Sequence, residues 1–495
     1  MMPIQNSALF GDFYSLTMAQ GYWKQAPERR AVFEFFFRRQ PFGGGYSVFA
    51  GLGPLLEDLR EFRFSDADLE YLAGMKVFEP GFVAYLRDFR FSGSLWAMNE
   101  GSMIFPHEPV VRVEGRLVEC QLIEGLLLNR LNFQTLVATK ARRVWLASGK
   151  GTVLEFGLRR AQGPDGAMSA SRAAYIGGAA GTSNTLAGRL FGIPVVGTMA
   201  HSWVMSFPSE VEAFDTYAEM YPEGCTFLID TYNTLKSGIR SAIEVGRKLA
   251  ARGKGFAVRL DSGDLQYLSG EVRRMLDEAG LPEARISVSG DLDEAVIQTL
   301  VASSAPIDAW GVGTQMVTGG NDPALPGVYK MAACEVGNGE LVQVMKFSDN
   351  PAKTTNPGIK QVWRIRDGNG MPLADVLALD GQADPEENER FPVGERHRFW
   401  HPASDYRHFY HIPAQPPEPM LKRYLDRGEP CLDRPSLDAV RAHSLAEFGT
   451  FDDTHKRLLN PHLYKVSISE KLHRMKLDLI RSHFHGFDPD PHNPG

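Results

Sequence analysis

Cysteine is scarce in this chain, with four residues in 495, at positions 120, 225, 334 and 431. Spacings that wide build neither a zinc knuckle nor a disulfide framework, so reduced thiols in a cytoplasmic protein are the expectation. Excess positive charge is missing too. The 53 Lys and Arg are outnumbered by 60 Asp and Glu, giving a formal net charge of −7. That balance argues against a nucleic-acid-binding surface as the main business, while leaving room for a basic patch inside a cleft. The opening MMPIQNSALFGDFYSL lacks a basic segment followed by an apolar one, so no signal peptide is expected. The uncharged run from Leu190 to Ser209 is broken by Gly192, Pro194, Gly197, His201 and Pro208. A membrane helix needs about 20 predominantly apolar residues, and this run does not supply them. A soluble protein with no membrane or nucleic-acid partner is expected.

What is present is ordinary globular composition, 43% hydrophobic and 23% charged, in a chain long enough for more than one core. No internal repeat of fixed period is visible. The middle third nevertheless has a rhythm of short apolar runs: Thr152–Phe156, Ile193–Gly197, Thr226–Ile229, Gly255–Leu260, Ile286–Ser289 and Ala309–Val312. Each stops at residues able to do chemistry, in the clusters GLRR, TMAHS, DTYN, DSGD, GDLD and GTQM. Between several of them lie amphipathic stretches such as Thr234–Arg252 and Leu265–Ala279, with apolar residues three and four apart. Strand–helix alternation of this kind predicts an α/β protein with a buried parallel sheet. In a β/α barrel the catalytic residues occupy the C-terminal ends of the strands, where the polar clusters fall here. A doubly wound open sheet is the alternative that periodicity leaves standing. The spans 1–125, 126–365 and 366–495 read as an N-terminal α/β layer, the catalytic barrel and a C-terminal segment returning to the first layer. Within them, Ala31–Arg38 is aromatic-rich and strand-like, Leu55–Arg63 helical, and Leu95–Met103 and Val110–Val118 extended. Residues 381–420, rich in Asp, Pro, Glu and His, read as irregular surface structure, and Ser467–His483 as a terminal helix.

Four clusters carry the chemistry. His201, in GTMAHSWVMSF, follows a strand-like run and sits beside Thr198 and Ser202. A histidine there is often only a satisfied core residue, but a strand-end imidazole can also be a base, a metal ligand or a phosphoryl acceptor. The segment RLDSGDL, from Arg259 to Leu265, gathers a cation and two carboxylates around a glycine turn. That set suits an anion held together with a divalent cation such as Mg²⁺, which prefers oxygen ligands and arrives with substrate phosphates. For Asp264 the plainer role is the N-cap of the following helix. WGVGTQMVTGG, from Trp310 to Gly320, ends a strand with glycines and hydroxyls able to wrap a phosphate, as does GGAAGTSNTLAG, from Gly177 to Gly188. EFGLRRAQGPDG places Phe156, Arg159 and Arg160 at a strand end. An aromatic face with guanidinium groups suits a flat anionic ring.

Taken in order, the motifs GDFYSLTMAQGYW, FEFFFRRQPFGG, EFGLRRAQGPDG, GTSNTLAG, GTMAHSWVMSF, VRLDSGDL, GVGTQMVT, GVYKM and KFSDNPAKTTNPGIK resemble the nicotinate phosphoribosyltransferase family. They run from residue 11 to about residue 360. The resemblance implies a type II phosphoribosyltransferase fold, an irregular β/α barrel with a smaller domain made from N-terminal and C-terminal segments. It implies ATP-coupled joining of nicotinate to phosphoribosyl pyrophosphate (PRPP), a salvage step of NAD biosynthesis, with Mg²⁺ and a phosphohistidine. It also implies a homodimer with the site at the subunit boundary. Tyr14 would reach across from the partner and sandwich the pyridine ring with Phe156. Thr198 and Arg259 would contact nicotinate, Arg159 a phosphate or carboxylate, and Gly313 with Thr314 the phosphoribosyl phosphate. His201 matches the histidine that ATP phosphorylates, and Asp230 and Asp261 match acidic residues of the site. Asn184 matches an aspartate of relatives that use nicotinamide, and would not repel a carboxylate. A nicotinamide or quinolinate phosphoribosyltransferase and a non-catalytic pyridine-nucleotide-binding relative are the alternatives. Asn184, the chain length and the retention of His201, Arg259 and Asp261 argue against them.

Overall fold

A computed structural model of the chain describes residues 7–337, 339–348, 353–380, 389–403 and 406–485. It divides into two compact units, residues 136–323 and residues 1–135 with 324–495. The first boundary falls inside the helix Glu124–Ala147.

The unit 136–323 holds one six-stranded, all-parallel sheet. Its strands, side by side, are Gly181–Thr182, Thr152–Glu155, Ala309–Val312, Arg285–Val288, Phe256–Leu260 and Cys225–Leu228. From Cys225–Leu228 through to Ala309–Val312, each strand pairs with the next one in the chain, and the last pairs with Thr152–Glu155. A doubly wound sheet would reverse its order at a switch point. This order is cyclic, so the doubly wound alternative falls and an incompletely closed β/α barrel stands.

The expected strand Ile193–Gly197 does not form. Only a single parallel bridge, Thr182 with Val195, occurs there. Pro194 lacks the N–H a ladder needs, so its carbonyl accepts from Thr182 N–H and Val196 N–H donates to the Thr182 carbonyl, and pairing ends. The helices that cover the sheet carry the expected stripe. Ile239–Ala251 buries Ile239, Ala242, Val245 and Leu249 at three- and four-residue spacing. The turn before it, Thr234–Gly238, is π-helical. Asp264 caps Leu265–Glu278 by accepting from Tyr267 N–H, the plain role expected of it.

The other unit is built on two mixed or antiparallel sheets. The seven-stranded one runs Leu341–Gln343, Gly327–Glu335, Arg30–Phe37, Val111–Arg116, Ser94–Ala97, Lys422–Asp426, Glu429–Pro430. The aromatic run at Arg30–Phe37 is buried almost throughout because neighbours flank it on both edges. Its one carboxylate, Glu34, pairs with the equally buried Lys360 at 2.9 Å. The six-stranded sheet contains His397–Trp400 and Arg407–His411, which corrects the expectation of irregular structure in those parts of residues 381–420, while residues 381–388 and 404–405 lie outside the described residues. Phe399 joins Ile365, Val376, Ala378 and Phe391 in a buried cluster against which Phe409 packs, and that burial outweighs the polar composition around it. The terminal helix is Glu470–His485, and Ser467 instead belongs to the strand Lys465–Ser469. No helix among the described residues is long and apolar enough to cross a membrane. The four cysteines are free. The end of the histidine-rich tail, from residue 486, lies outside the described residues.

Candidate active site

Side chains from distant stretches meet at the C-terminal ends of the barrel strands. Arg259 is the hub. It leaves the end of Phe256–Leu260 with its side chain 16% exposed. Its Nε–H donates to Ser289 Oγ at 2.7 Å, Nη1 to Thr198 Oγ1 at 2.8 Å and Nη2 to Asp261 Oδ1 at 2.6 Å. Its Cζ lies 5.5 Å from the centroid of the Phe156 ring, within cation–π reach. Three of the five guanidinium N–H groups are thus engaged among the described residues, and two remain for a ligand.

The carboxylates sit next to it. Asp261 also accepts from the Ser289 hydroxyl, and its backbone N–H donates to Asp230 Oδ2 at 3.1 Å. The same Asp230 oxygen accepts from Ser262 Oγ at 2.6 Å. The other, Oδ1, is buried with no hydrogen-bond partner among the described residues. Burial alone would raise the Asp261 pKa. The Ser289 hydrogen bond, the Arg259 charge and hydrogen bond, and the charge of His201 outweigh it, and hold the carboxyl below its usual value. His201 opens the short helix His201–Met205, and its Nδ1 lies 3.1 Å from Thr231 Oγ1, one residue beyond Asp230. Phe156, Thr198, His201, Asp230, Arg259 and Asp261 therefore form one connected constellation.

Glycine makes two of these approaches possible. A Cβ on Gly311 would stand 2.6 Å from two carbons of the Phe156 ring. One on Gly290, at φ +88°, would stand 2.3 Å from the Asp261 carbonyl oxygen. Gly311→Ala is accordingly expected to displace the ring from beneath Arg259 while the barrel still folds. Weaker binding of a flat aromatic acid, roughly tenfold, is the expected outcome, read by titration.

The remaining expected residues fall differently. Gly313 and Thr314 follow Ala309–Val312, beside Phe156, whose N–H donates to the Val312 carbonyl at 2.8 Å. Arg159 is exposed, with no side-chain partner among the described residues. Asn184 is only 2% exposed and caps the helix Thr185–Phe191 through Ala187 N–H. Its amide donates to Ser171 Oγ at 3.2 Å. Tyr14 belongs to the other unit, 46% exposed on the helix Phe13–Gln25. Burial and the Glu124 carboxylate push its phenol up to about 12, so it is neutral at ordinary pH. Four contributors are not picked out individually by the sequence: Ser289, which ends the run Ile286–Ser289, and Thr231, Ser262 and Glu155, which lie within DTYN, RLDSGDL and EFGLRRAQGPDG. Glu155 is 1% exposed, and accepts from Ser171 Oγ at 2.9 Å, Thr182 Oγ1 at 2.5 Å and Gly157 N–H. It braces the turn that presents Phe156.

A parallel β/α barrel that gathers an aromatic face, a partly free arginine and paired carboxylates at its strand ends has the make-up of an enzyme's active site. The chain belongs to the nicotinate phosphoribosyltransferase family. Sequence models of that family match residues 9–132 (the N-terminal domain) and 359–476 (the C-terminal domain). A nicotinate phosphoribosyltransferase of Bacillus subtilis is 42% identical over 480 residues, covering 96% of this chain and 95% of its own. One of Mycobacterium tuberculosis is 44% identical over 427 residues, covering 85% and 90%. The crystal structure of human nicotinic acid phosphoribosyltransferase superposes with a TM-score of 0.81 at 32% identity, covering 95% of this chain and 99% of that one.

Proposed function

We propose that the chain makes nicotinate mononucleotide and pyrophosphate from nicotinate and PRPP, driven by ATP hydrolysis through a phosphohistidine at His201, in NAD salvage. The observation that carries the reading is Arg259, held against Phe156 by three protein contacts with two N–H groups left over. A pyridine carboxylate fits that arrangement: the ring lies on Phe156 and the carboxylate accepts from Arg259. The ring nitrogen then attacks the anomeric carbon of PRPP as the bond to pyrophosphate breaks, and positive charge develops on the ribose. Asp261, held ionised, and Asp230 supply negative charge for that centre. Gly313, Thr314 and Arg159 are the groups assigned to the phosphates.

Mg²⁺ fits the donor set. Asp230 Oδ1 is a buried carboxylate oxygen without a partner among the described residues, the hard ligand this ion prefers. No group of three or more His, Cys, Asp or Glu is arranged for a metal among the described residues, so most of its ligands would come from pyrophosphate and water. Bound there, it would neutralise charge on the leaving pyrophosphate.

For the ATP step, Thr231 engages His201 Nδ1 and leaves Nε2 available. With the proton on Nδ1 donated to Thr231 Oγ1, the Nε2 lone pair forms the N–P bond as the γ-phosphorus separates from ADP. Asn184 bears on substrate choice through Ser171, which it shares with Glu155. An aspartate in its place would set a second carboxylate on Ser171, next to Glu155, while the neutral amide leaves the pocket tolerant of an acid. Tyr14 of a partner subunit closes the sandwich on Phe156, which makes the active form a homodimer.

Purified protein is assayed with PRPP, Mg²⁺ and either nicotinate or nicotinamide, with and without ATP, following mononucleotide and ADP. Strong preference for nicotinate and ATP-stimulated turnover are expected. Comparable turnover of nicotinamide, or no mononucleotide from either base, would refute the reading.

A further inference from the structure

Ser289 lies at the end of Arg285–Val288, 3% exposed, and its hydroxyl stands between the two charged groups of the site. The direction of both its hydrogen bonds is fixed by chemistry. Arg259 Nε–H can only donate, so Ser289 Oγ accepts it, at 2.7 Å. Ionised Asp261 can only accept, so the single hydroxyl proton goes to Asp261 Oδ1. The hydroxyl therefore has one orientation that satisfies everything around it. Its own backbone is held as well. Ser289 N–H donates to the Leu260 carbonyl at 2.9 Å, one residue from Arg259, and its Cβ lies 3.2 Å from where a Gly311 Cβ would be.

We propose that Ser289 is a positioning residue for the reaction, its hydroxyl setting the plane of the Arg259 guanidinium against Phe156 so that the two unused N–H groups meet a carboxylate. This rests on the reading that Arg259 binds the carboxylate of nicotinate. Without the hydroxyl, Arg259 Nε–H loses its partner in a largely buried position, and the guanidinium turns about its stem to recover one. Nη1 and Nη2 then leave the line defined by Thr198 and Asp261. Ground-state binding of the acid suffers first, because a bidentate grip tolerates little rotation.

The test compares Ser289→Ala, Ser289→Thr and Ser289→Cys in the full-length protein, measuring KM for nicotinate and for PRPP separately, with Tm alongside. Ser289→Ala is expected to raise the nicotinate KM roughly 10- to 100-fold while the PRPP KM stays within about twofold. Ser289→Thr, which keeps the hydroxyl, is expected to restore most of the nicotinate KM. A nicotinate KM within about twofold of the parent in Ser289→Ala, or an equal rise in both KM values, would overturn the proposal. Should the alanine variant fail to fold, the nearly isosteric Ser289→Cys, a weak hydrogen bonder, carries the same expectation and the same refutation. If Arg259→Lys leaves the nicotinate KM unchanged, it is the underlying reading of Arg259 that has failed, and this role falls with it.

Discussion

His201→Ala is expected to remove every trace of acid-labile phosphate from the protein after incubation with ATP. Mononucleotide formation falls to its ATP-independent rate, and ADP release no longer tracks product. The effect is complete because nothing nearby can substitute. The groups connected to it are the Thr231 hydroxyl and, through Asp261, the Arg259 guanidinium and a second carboxylate, and none of them offers a nitrogen lone pair. Because His201 is partly exposed at the start of a five-residue helix, its truncation removes little packing, and Tm should move little. Phosphate that survives acid quench controls and maps to another residue would reject the assignment.

The second large effect falls on Arg259→Lys. Lysine keeps the charge and loses the plane. It cannot donate at once to Ser289, Thr198 and Asp261, nor lie as a flat cation on Phe156 while presenting two further N–H groups. kcat/KM for nicotinate is expected to fall about 10²- to 10³-fold, equivalent to roughly 3–4 kcal/mol of transition-state stabilisation. Most of that should appear in KM, since the carboxylate is gripped before the bond to ribose forms. A loss below about fivefold in steady-state kinetics would show that the carboxylate is held elsewhere. The pH dependence has a definite sign. The Asp261 carboxyl is held below its ordinary value, so its negative charge is present above that value and lost only as the pH falls through the lowered one. In Arg259→Lys the geometry that lowers it is impaired, and the acid limb of activity should move to higher pH.

Much of this site was legible in the sequence. Short apolar runs that stop at polar clusters mark strands whose ends face a common mouth, and five of the six expected runs pair in one parallel sheet. The sixth, Ile193–Gly197, shows the limit of the signal. An apolar run reports burial, while pairing requires free N–H groups, and Pro194 lacks one. The strands at His397–Trp400 and Arg407–His411 were hidden for the opposite reason. Their surroundings are polar and proline-rich, and their apolar residues find a cluster only through Val376 and Ile365, distant in sequence. Asn184 is a subtler case. Its motif marks it as part of the site, yet its side chain turns inward to cap a helix, a choice made by Ala187 N–H and Ser171.

The amino-acid sequence alone determined which residue types stand at the barrel mouth: an imidazole, an arginine, an aromatic ring and carboxylates, each in or close after an apolar run. It could do so because alternation and strand-end chemistry are local properties of the chain. Tertiary structure decided which atoms face one another. That Ser289 bridges Arg259 and Asp261, that Thr231 takes Nδ1 of His201, and that Asp230 keeps one oxygen buried and unpartnered among the described residues all depend on segments 28 to 31 residues apart lying side by side. Hydrogen-bond direction is a matter of ångströms between such strands, and no pattern along the chain encodes it.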